Sequence, residues 1–152
     1  MRFAFGGAYT SVGTYDHTEM LDMLTFLHTA TGQEVSDMVI AFGKHLFGQL
    51  ADSHKAIFAD QNRVLDFLEG IERHIHAEVR KLYPDAELPK FDTERVSDGH
   101  LVMIYESARP FADLAYGMIE GASAHFDTGL QITRKDEVSA TGKSTRFDVV
   151  LL

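Results

Sequence analysis

The chain has 152 residues, a formal net charge of -9 at pH 7, 45% hydrophobic residues and no cysteine. A chain of this length buries about 68 to 70% of its unfolded surface, so we expect residues 1-152 to form one domain without disulfides. The lack of cysteine excludes thiolate catalysis and cysteine-based metal sites, and the negative charge argues against nucleic acid as a partner.

The first segment, "MRFAFGGAYTS", carries one positive charge and only a short apolar run. No later segment approaches the length of about 18 uninterrupted apolar residues that a membrane span needs. We therefore expect a cytoplasmic protein that does not enter a membrane.

Three helices are predicted before the first strand. Asp16 can cap a helix over "HTEMLDMLTFLHTAT", which ends at Gly32, and a second helix covers about residues 35 to 50. A third, long helix covers about residues 62 to 83 and stops before Pro84, because the residue before a proline disfavours helical backbone. The apolar stripe of the second helix is Met38, Val39, Phe42, Leu46 and Leu50, and that of the third is Val64, Leu68, Ile71, Ile75, Val79 and Leu82.

The second half of the chain has the pattern of two β-hairpins with a helix between them. "KFDTERV" and "HLVMIYES" flank the turn "SDG", while "GLQITRKDEV" and "STRFDVVLL" flank "SATGK". Pro110 starts the helix between them, "FADLAYGMIEGASAHF". The order predicts an α+β domain, in which a helical amino-terminal part is followed by a small antiparallel four-stranded sheet with an inserted helix.

His74 and His76 are the first candidates for metal chemistry. Positions two apart on a helix differ by about 200° around the axis, so the two imidazoles cannot point at one centre. A helical wheel places them on opposite edges of the apolar stripe and does not choose between them. Charged neighbours favour a solvated His74, whereas His76 is either a packed core residue or a ligand.

The segment "YESAR" is a candidate anion-binding site. Alternation at the end of a strand places Tyr105, Ser107 and Arg109 on one face. Two hydroxyls beside a guanidinium fork suit a carboxylate or a phosphate. An ordinary polar sheet face is the alternative.

No pattern in the sequence indicates an enzyme. Glu69 and Glu72 lie one turn apart on the long helix, but we expect both on a solvated face. The histidines other than His74 and His76 lack a metal-ligand spacing such as HExxH. The sequence contains no recognisable nucleophile with its base and no cofactor loop.

Several segments together resemble the heme nitric oxide/oxygen binding family, called H-NOX, of bacterial sensors and soluble guanylate cyclases. The matching segments are "GAYTSVGTYD", "HAEVRKLYPDAELPKF", "YESAR" and "IEGASAHF", in the family's order. The resemblance implies a sensor domain that binds heme b and is not an enzyme.

The resemblance also implies the residues of a heme site. The family's proximal iron ligand falls on His76, which precedes Tyr83-Pro84 by seven residues. The residues that hold the heme propionates fall on Tyr105, Ser107 and Arg109. The proline that distorts the porphyrin in this family corresponds to Pro89.

The distal residues decide which gas is bound. Family members that hold oxygen place a tyrosine in the helix after YxSxR, and here that position is Leu114. Leu46 and Met118, expected nearby, are also apolar. Because bound oxygen would lack its hydrogen-bond donor, the resemblance implies a sensor of nitric oxide, and of carbon monoxide, rather than an oxygen carrier.

The signalling step implied by the family starts at His76. Nitric oxide binding weakens the bond from iron to His76, the porphyrin relaxes against Pro89, and the helix that carries His76 shifts. A separate histidine kinase, cyclic-di-GMP enzyme or chemotaxis receptor reads the shift in the family.

The chain departs from the family at its beginning. H-NOX domains start with further helices over the distal face of the heme, whereas only "MRFAFG" precedes the matching segment here. Three explanations are open: the first residues were miscalled or removed, a homodimer covers the opening, or the domain is a heme-free interaction module descended from a sensor. Without those helices over the distal face, it is also open whether a second side chain, such as His45, ligates the iron.

Overall fold

The computed structural model describes residues 6–10, 13–139 and 142–152. The chain divides into two compact units, Met1–Met38 and Val39–Leu152. The helices in chain order are α1 His17–Thr31, α2 Val35–Ser53, α3 Lys55–Phe58, α4 Val64–Glu69, a π-helical segment Ile71–His76, α5 Ala77–Leu82 and α6 Ala112–His125. The strands are β1 Lys90–Ser97, β2 His100–Glu106, β3 Leu130–Ser139 and β4 Gly142–Leu151. The predicted α+β class is confirmed.

Helix α1 begins and ends at the predicted residues. The Asp16 carboxylate accepts a hydrogen bond from the backbone N–H of Thr18 at 2.8 Å, which caps the first turn. Gly32 adopts a left-handed conformation with φ 74°, and its N–H donates to the carbonyl of His28. A residue with a Cβ disfavours this conformation, so the glycine ends the helix there. Leu24 is the buried residue of α1.

The buried face of α2 differs from the predicted apolar stripe. Phe42 and Leu50 are exposed. Val39 is buried, as predicted, and the other buried residues are Gly43, Phe47 and Ala51, so that the four follow at a constant spacing of four. The prediction was wrong for Phe42 and Leu50 because it counted only large apolar side chains, whereas glycine and alanine mark the face where another backbone comes closest.

The predicted long helix is broken into three pieces. It begins at Val64 and ends at Leu82 before Pro84, but residues 71–76 form the π-helical segment. A π-helical turn holds more residues than an α-helical turn, so the wheel drawn for a regular α-helix fails beyond Gly70. The short helix α3 was also missed, because no helix was predicted between residues 50 and 62.

Both predicted hairpins are confirmed, and they join into one sheet with strand order β1-β2-β4-β3. Phe91 of β1 pairs with Tyr105 of β2, which pairs with Thr145 of β4. Ala140 and Thr141 of the second predicted turn lie outside the described residues, as do Ser11 and Val12 of the first matching segment.

One face of the central strands forms the core with α4 and α6. The fully buried residues of this core include Leu65, Leu68, Leu101, Met103, Ala122, Phe147 and Val149. None of the described helices is long and apolar enough to cross a membrane.

Candidate functional site

His76 is the last residue of the π-helical segment, and its side chain exposes only 11% of its surface. Its Nδ1 lies 2.8 Å from Oε1 of Glu72. A carboxylate oxygen accepts hydrogen bonds, so Nδ1 carries a proton, and in a neutral ring Nε2 then carries the lone pair. Nε2 makes no hydrogen bond to any residue that the structure describes. His74, in contrast, is exposed, as predicted.

Glu72 does not lie on a solvated face, so that expectation was wrong. Its Oε1 also accepts a hydrogen bond from the backbone N–H of Phe91 at 2.9 Å. Arg80 stands 3.5 Å from Oε2, and the Glu72 side chain exposes 26% of its surface. The spacing of four residues between Glu72 and His76 is the sequence signal that would have revealed the contact.

Two aromatic rings continue from His76 towards the sheet. The ring centroid of Phe91 lies 6.0 Å from that of His76 and 5.4 Å from that of Tyr105. Burial raises the pKa of the Tyr105 hydroxyl, against the opposing effect of hydrogen bonds from the Ser107 side chain and the Phe111 backbone amide. Tyr105 therefore stays a neutral phenol that can donate a hydrogen bond.

Ser107 and Arg109 do not continue the strand that holds Tyr105. Strand β2 ends at Glu106, which is also the last residue of its register with β1 and β4. The Ser107 Oγ then accepts a hydrogen bond from the backbone N–H of Arg109 at 3.1 Å, which turns the chain. The prediction of one shared strand face was wrong, because β2 ends at Glu106 and the chain turns at Ser107.

Arg109 instead reaches the segment that precedes β1. Its Nη2 lies 2.6 Å from the Glu87 carboxylate, and its Nη1 lies 3.5 Å from the Glu87 carbonyl oxygen. Pro89 is half-buried and stands between Glu87 and Phe91. Residues 87–91 therefore join Arg109 at one end to Glu72 and His76 at the other, with Pro89 in the middle.

Leu46, Leu114 and Met118 belong to a second region, where α2 meets α6. All three side chains are half-buried and apolar. A Cβ placed on Gly43 would lie 2.5 Å from the carbonyl oxygen of Leu114 and 3.1 Å from the backbone nitrogen of Met118. Leu46 lies one turn after Gly43, on the same side of α2.

Tyr105 connects the two regions. Tyr105 belongs to the buried hydrophobic core, and both Phe91 and Met118 of α6 pack against that core. The structure therefore places the candidate ligand, the candidate anion-binding residues and the apolar residues in one continuous part of the second unit.

The chemistry of these side chains fits a heme. A neutral imidazole nitrogen can ligate iron, a guanidinium and a phenol can bind two carboxylates, and buried rings suit an apolar macrocycle. Among the described residues, no group of three or more His, Asp or Glu side chains could hold a metal ion.

Comparison with known proteins gives one consistent result. A family model described as haem-NO-binding matches residues 1–134. The structure is similar to that of the Fe(II) unliganded H-NOX protein from K. algicida, with a TM-score of 0.91 and 33% identity over 100% of this chain and 82% of that chain.

Two further structures are similar to this chain. The H-NOX protein from S. oneidensis in the Fe(II)NO ligation state has a TM-score of 0.87 and 26% identity over 95% of this chain and 81% of that chain. The IWP-051-bound H-NOX from Shewanella woodyi in the Fe(II)CO ligation state has a TM-score of 0.82 and 37% identity over 98% of this chain and 78% of that chain. No curated protein shows a significant match.

The fold and the extent of these matches define an H-NOX-type α+β domain. The chain belongs to the H-NOX, or haem-NO-binding, family. Members of this family are heme-based gas sensors, and H-NOX domains are sensor domains rather than enzymes.

Proposed function

We propose that this protein is a nitric oxide sensor that holds heme b through His76 and signals to a separate protein. When bound, the heme supplies a ferrous iron that binds nitric oxide or carbon monoxide. The observation that carries the proposal is the state of His76: its ring is buried, its Nδ1 is engaged by Glu72, and its Nε2 has no partner in the described structure. An iron ligand needs this combination, because the second nitrogen fixes the ring while the first keeps its lone pair.

Tyr105, Ser107 and Arg109 are the proposed holders of the two heme carboxylates. Arg109 already binds a carboxylate, that of Glu87, which supports its ability to bind another. A guanidinium has five N–H donors, so Arg109 can donate hydrogen bonds to the Glu87 carboxylate and to a heme carboxylate at the same time. The neutral Tyr105 hydroxyl supplies a donor without adding charge.

Pro89 is the residue that we propose would press on the porphyrin of a bound heme. The proline ring fixes φ and cannot rotate away under load. The chain is held in place on both sides of Pro89. Before it, Glu87 forms an ion pair with Arg109, and after it, the Phe91 N–H donates a hydrogen bond to Glu72. These contacts support the role, because a strained group persists only where its surroundings fix it.

Leu46, Leu114 and Met118 are the proposed distal residues, and they set the choice of gas. None of the three side chains can donate a hydrogen bond to bound oxygen. The S. oneidensis protein in its Fe(II)NO state and the S. woodyi protein in its Fe(II)CO state support nitric oxide and carbon monoxide as ligands for this chain too.

The proposed output is a movement of the His76 helix. His76 ends the π-helical segment and leads directly into α5, so a change at His76 acts on both. We propose that a cytoplasmic histidine kinase, cyclic-di-GMP enzyme or chemotaxis receptor reads this movement from a single sensor domain.

Absorption spectroscopy of the purified chain, reconstituted with hemin and then reduced, tests the proposal. We expect a Soret band that shifts under carbon monoxide and under nitric oxide. Absence of a Soret band would contradict the proposal and favour a heme-free interaction module. A stable ferrous-oxy spectrum in air would contradict the choice of gas.

A further inference from the structure

Glu72 and Phe91 share a contact that gives the His76 ring a second attachment. The same Glu72 oxygen, Oε1, accepts hydrogen bonds from His76 Nδ1 at 2.8 Å and from the backbone N–H of Phe91 at 2.9 Å. We propose that Glu72 is a positioning residue: it holds His76 with Nε2 as the open nitrogen and ties the ring to the start of β1. This inference deepens the proposed function and rests on it for the identity of the iron ligand.

The first part of the proposal is the tautomer. A neutral imidazole carries its proton on one nitrogen or the other, and the partner decides which. The Glu72 carboxylate offers Nδ1 an acceptor and leaves Nε2 without a proton. A carboxylate on the far nitrogen also raises the basicity of a ligating histidine and fixes its orientation.

The second part is the connection to the sheet. Strand β1 lies at the edge of the sheet, so the backbone N–H groups on its outer side find no acceptor in a neighbouring strand. Glu72 satisfies one of them, at Phe91, from the π-helical segment. The Phe91 ring contacts both His76 and Tyr105. A displacement of His76 therefore acts on Phe91 both through its backbone N–H and through its ring.

Glu78 provides a matched control for substitutions at Glu72. It is a glutamate of the same helical region, but its carboxylate pairs with Lys81 and makes no contact with His76. Glu78→Gln removes the same charge as Glu72→Gln without touching the ring. Glu72→Gln keeps an oxygen acceptor for Nδ1, whereas Glu72→Ala removes it.

Long-range ¹H–¹⁵N NMR of the imidazole in the heme-free full chain tests the tautomer directly. We expect the Nδ1–H form at His76 in the wild type, Glu78→Gln and Glu72→Gln, and its loss in Glu72→Ala. We also expect exchange of the Phe91 amide to become about tenfold faster in Glu72→Ala. An Nε2–H tautomer of His76 in the wild type would overturn the proposal without any variant. A folded Glu72→Ala in which His76 keeps the Nδ1–H tautomer would overturn it as well.

Hemin titration separates this proposal from the proposed function. We expect the dissociation constant for hemin to rise by about 10- to 100-fold in Glu72→Ala and to stay unchanged in Glu78→Gln. If the wild type takes up no hemin, the proposed function fails, while the tautomer still decides the role of Glu72. If the wild type and Glu72→Ala bind hemin equally well, the positioning role is overturned and the proposed function stands.

Discussion

Gly117 of α6 lies directly against the backbone of Ile40 in α2. A Cβ built on Gly117 would stand 2.0 Å from the Ile40 carbonyl oxygen. Real side chains do not approach a carbonyl so closely, so this crossing requires glycine. The same crossing positions the backbone of Leu114 and Met118 against Gly43.

Gly117→Ala should therefore destabilise the protein. An added methyl group with no space forces the helices apart, at a cost of about 1 to 3 kcal/mol in the free energy of unfolding. Gly48→Ala is the matched control in α2, because a Cβ there meets nothing within 4 Å. It should stabilise the helix by about 0.5 to 1 kcal/mol. Urea unfolding of both variants measures the contrast, and equal stabilities would contradict the close crossing.

Arg95 holds α4 against β1. Its Nη2 lies 2.8 Å from Asp66 and 2.7 Å from Glu69, and its side chain exposes 21% of its surface. Arg95→Met removes charge-assisted hydrogen bonds from a largely buried site, so we expect a loss of about 1.5 to 3 kcal/mol.

Lys90→Met is the control for Arg95→Met. Lys90 pairs with Asp92, and both side chains are exposed, so water screens the pair and the free energy of unfolding should change much less than in Arg95→Met. Thermal and urea unfolding measure both variants. A Lys90→Met variant as unstable as Arg95→Met would show that burial does not decide the value of these ion pairs.

Asp148 should make the stability of the protein depend on acidic pH. The hydrogen bond from Arg146 lowers the pKa of its carboxyl, desolvation opposes the shift, and the hydrogen bond from His100 adds to it. The folded-state pKa lies below the unfolded value of about 3.9, so the stabilisation is complete above that value and is lost as the pH falls through the folded-state pKa.

Asp148→Asn should accordingly be less stable than the wild type at pH 7. The difference should narrow as the pH falls below about 4, because the wild-type carboxyl then becomes neutral as well. Urea unfolding at a series of pH values from neutral to strongly acidic provides the measurement. A difference that stays constant across the series would contradict the lowered pKa.

Leu114→Tyr should give the reconstituted protein a measurable affinity for oxygen. Its hydroxyl would supply the hydrogen bond that the proposed distal side lacks. Leu114→Phe adds the same ring without the hydroxyl and serves as the control. Ferrous spectra in air should show an oxy form in the tyrosine variant only. An oxy form in both variants would mean that shape, rather than hydrogen bonding, selects the gas.

The elements that the sequence predicted correctly are those set by local signals. The Asp16 cap, the Gly32 end of α1, the stop before Pro84 and the turn between β1 and β2 each depend on a few neighbouring residues. The heme roles that the resemblance assigns to His76, Pro89 and Tyr105 stay predictions, while the structure shows that Phe91 contacts both His76 and Tyr105.

The features that the sequence did not reveal depend on contacts between distant residues. The π-helical segment has no simple local signature, yet it contains both buried His76 and exposed His74. The buried face of α2 follows from glycines that admit α6, and Glu72 became a site residue only because β1 passes beside it. Ser107 and Arg109 lie outside the strand, because the chain turns after Glu106.

The central claim is that His76 is the iron ligand of this chain. Hemin titration of the wild type, His76→Ala and His74→Ala, followed by a spectrum of each after reduction, tests it most directly. His74 lies two residues away and is exposed, so it controls for loss of an imidazole from the same helical region. We predict that His74→Ala retains the wild-type Soret band and that His76→Ala loses it until free imidazole is added. An undiminished band in His76→Ala without imidazole would contradict the account.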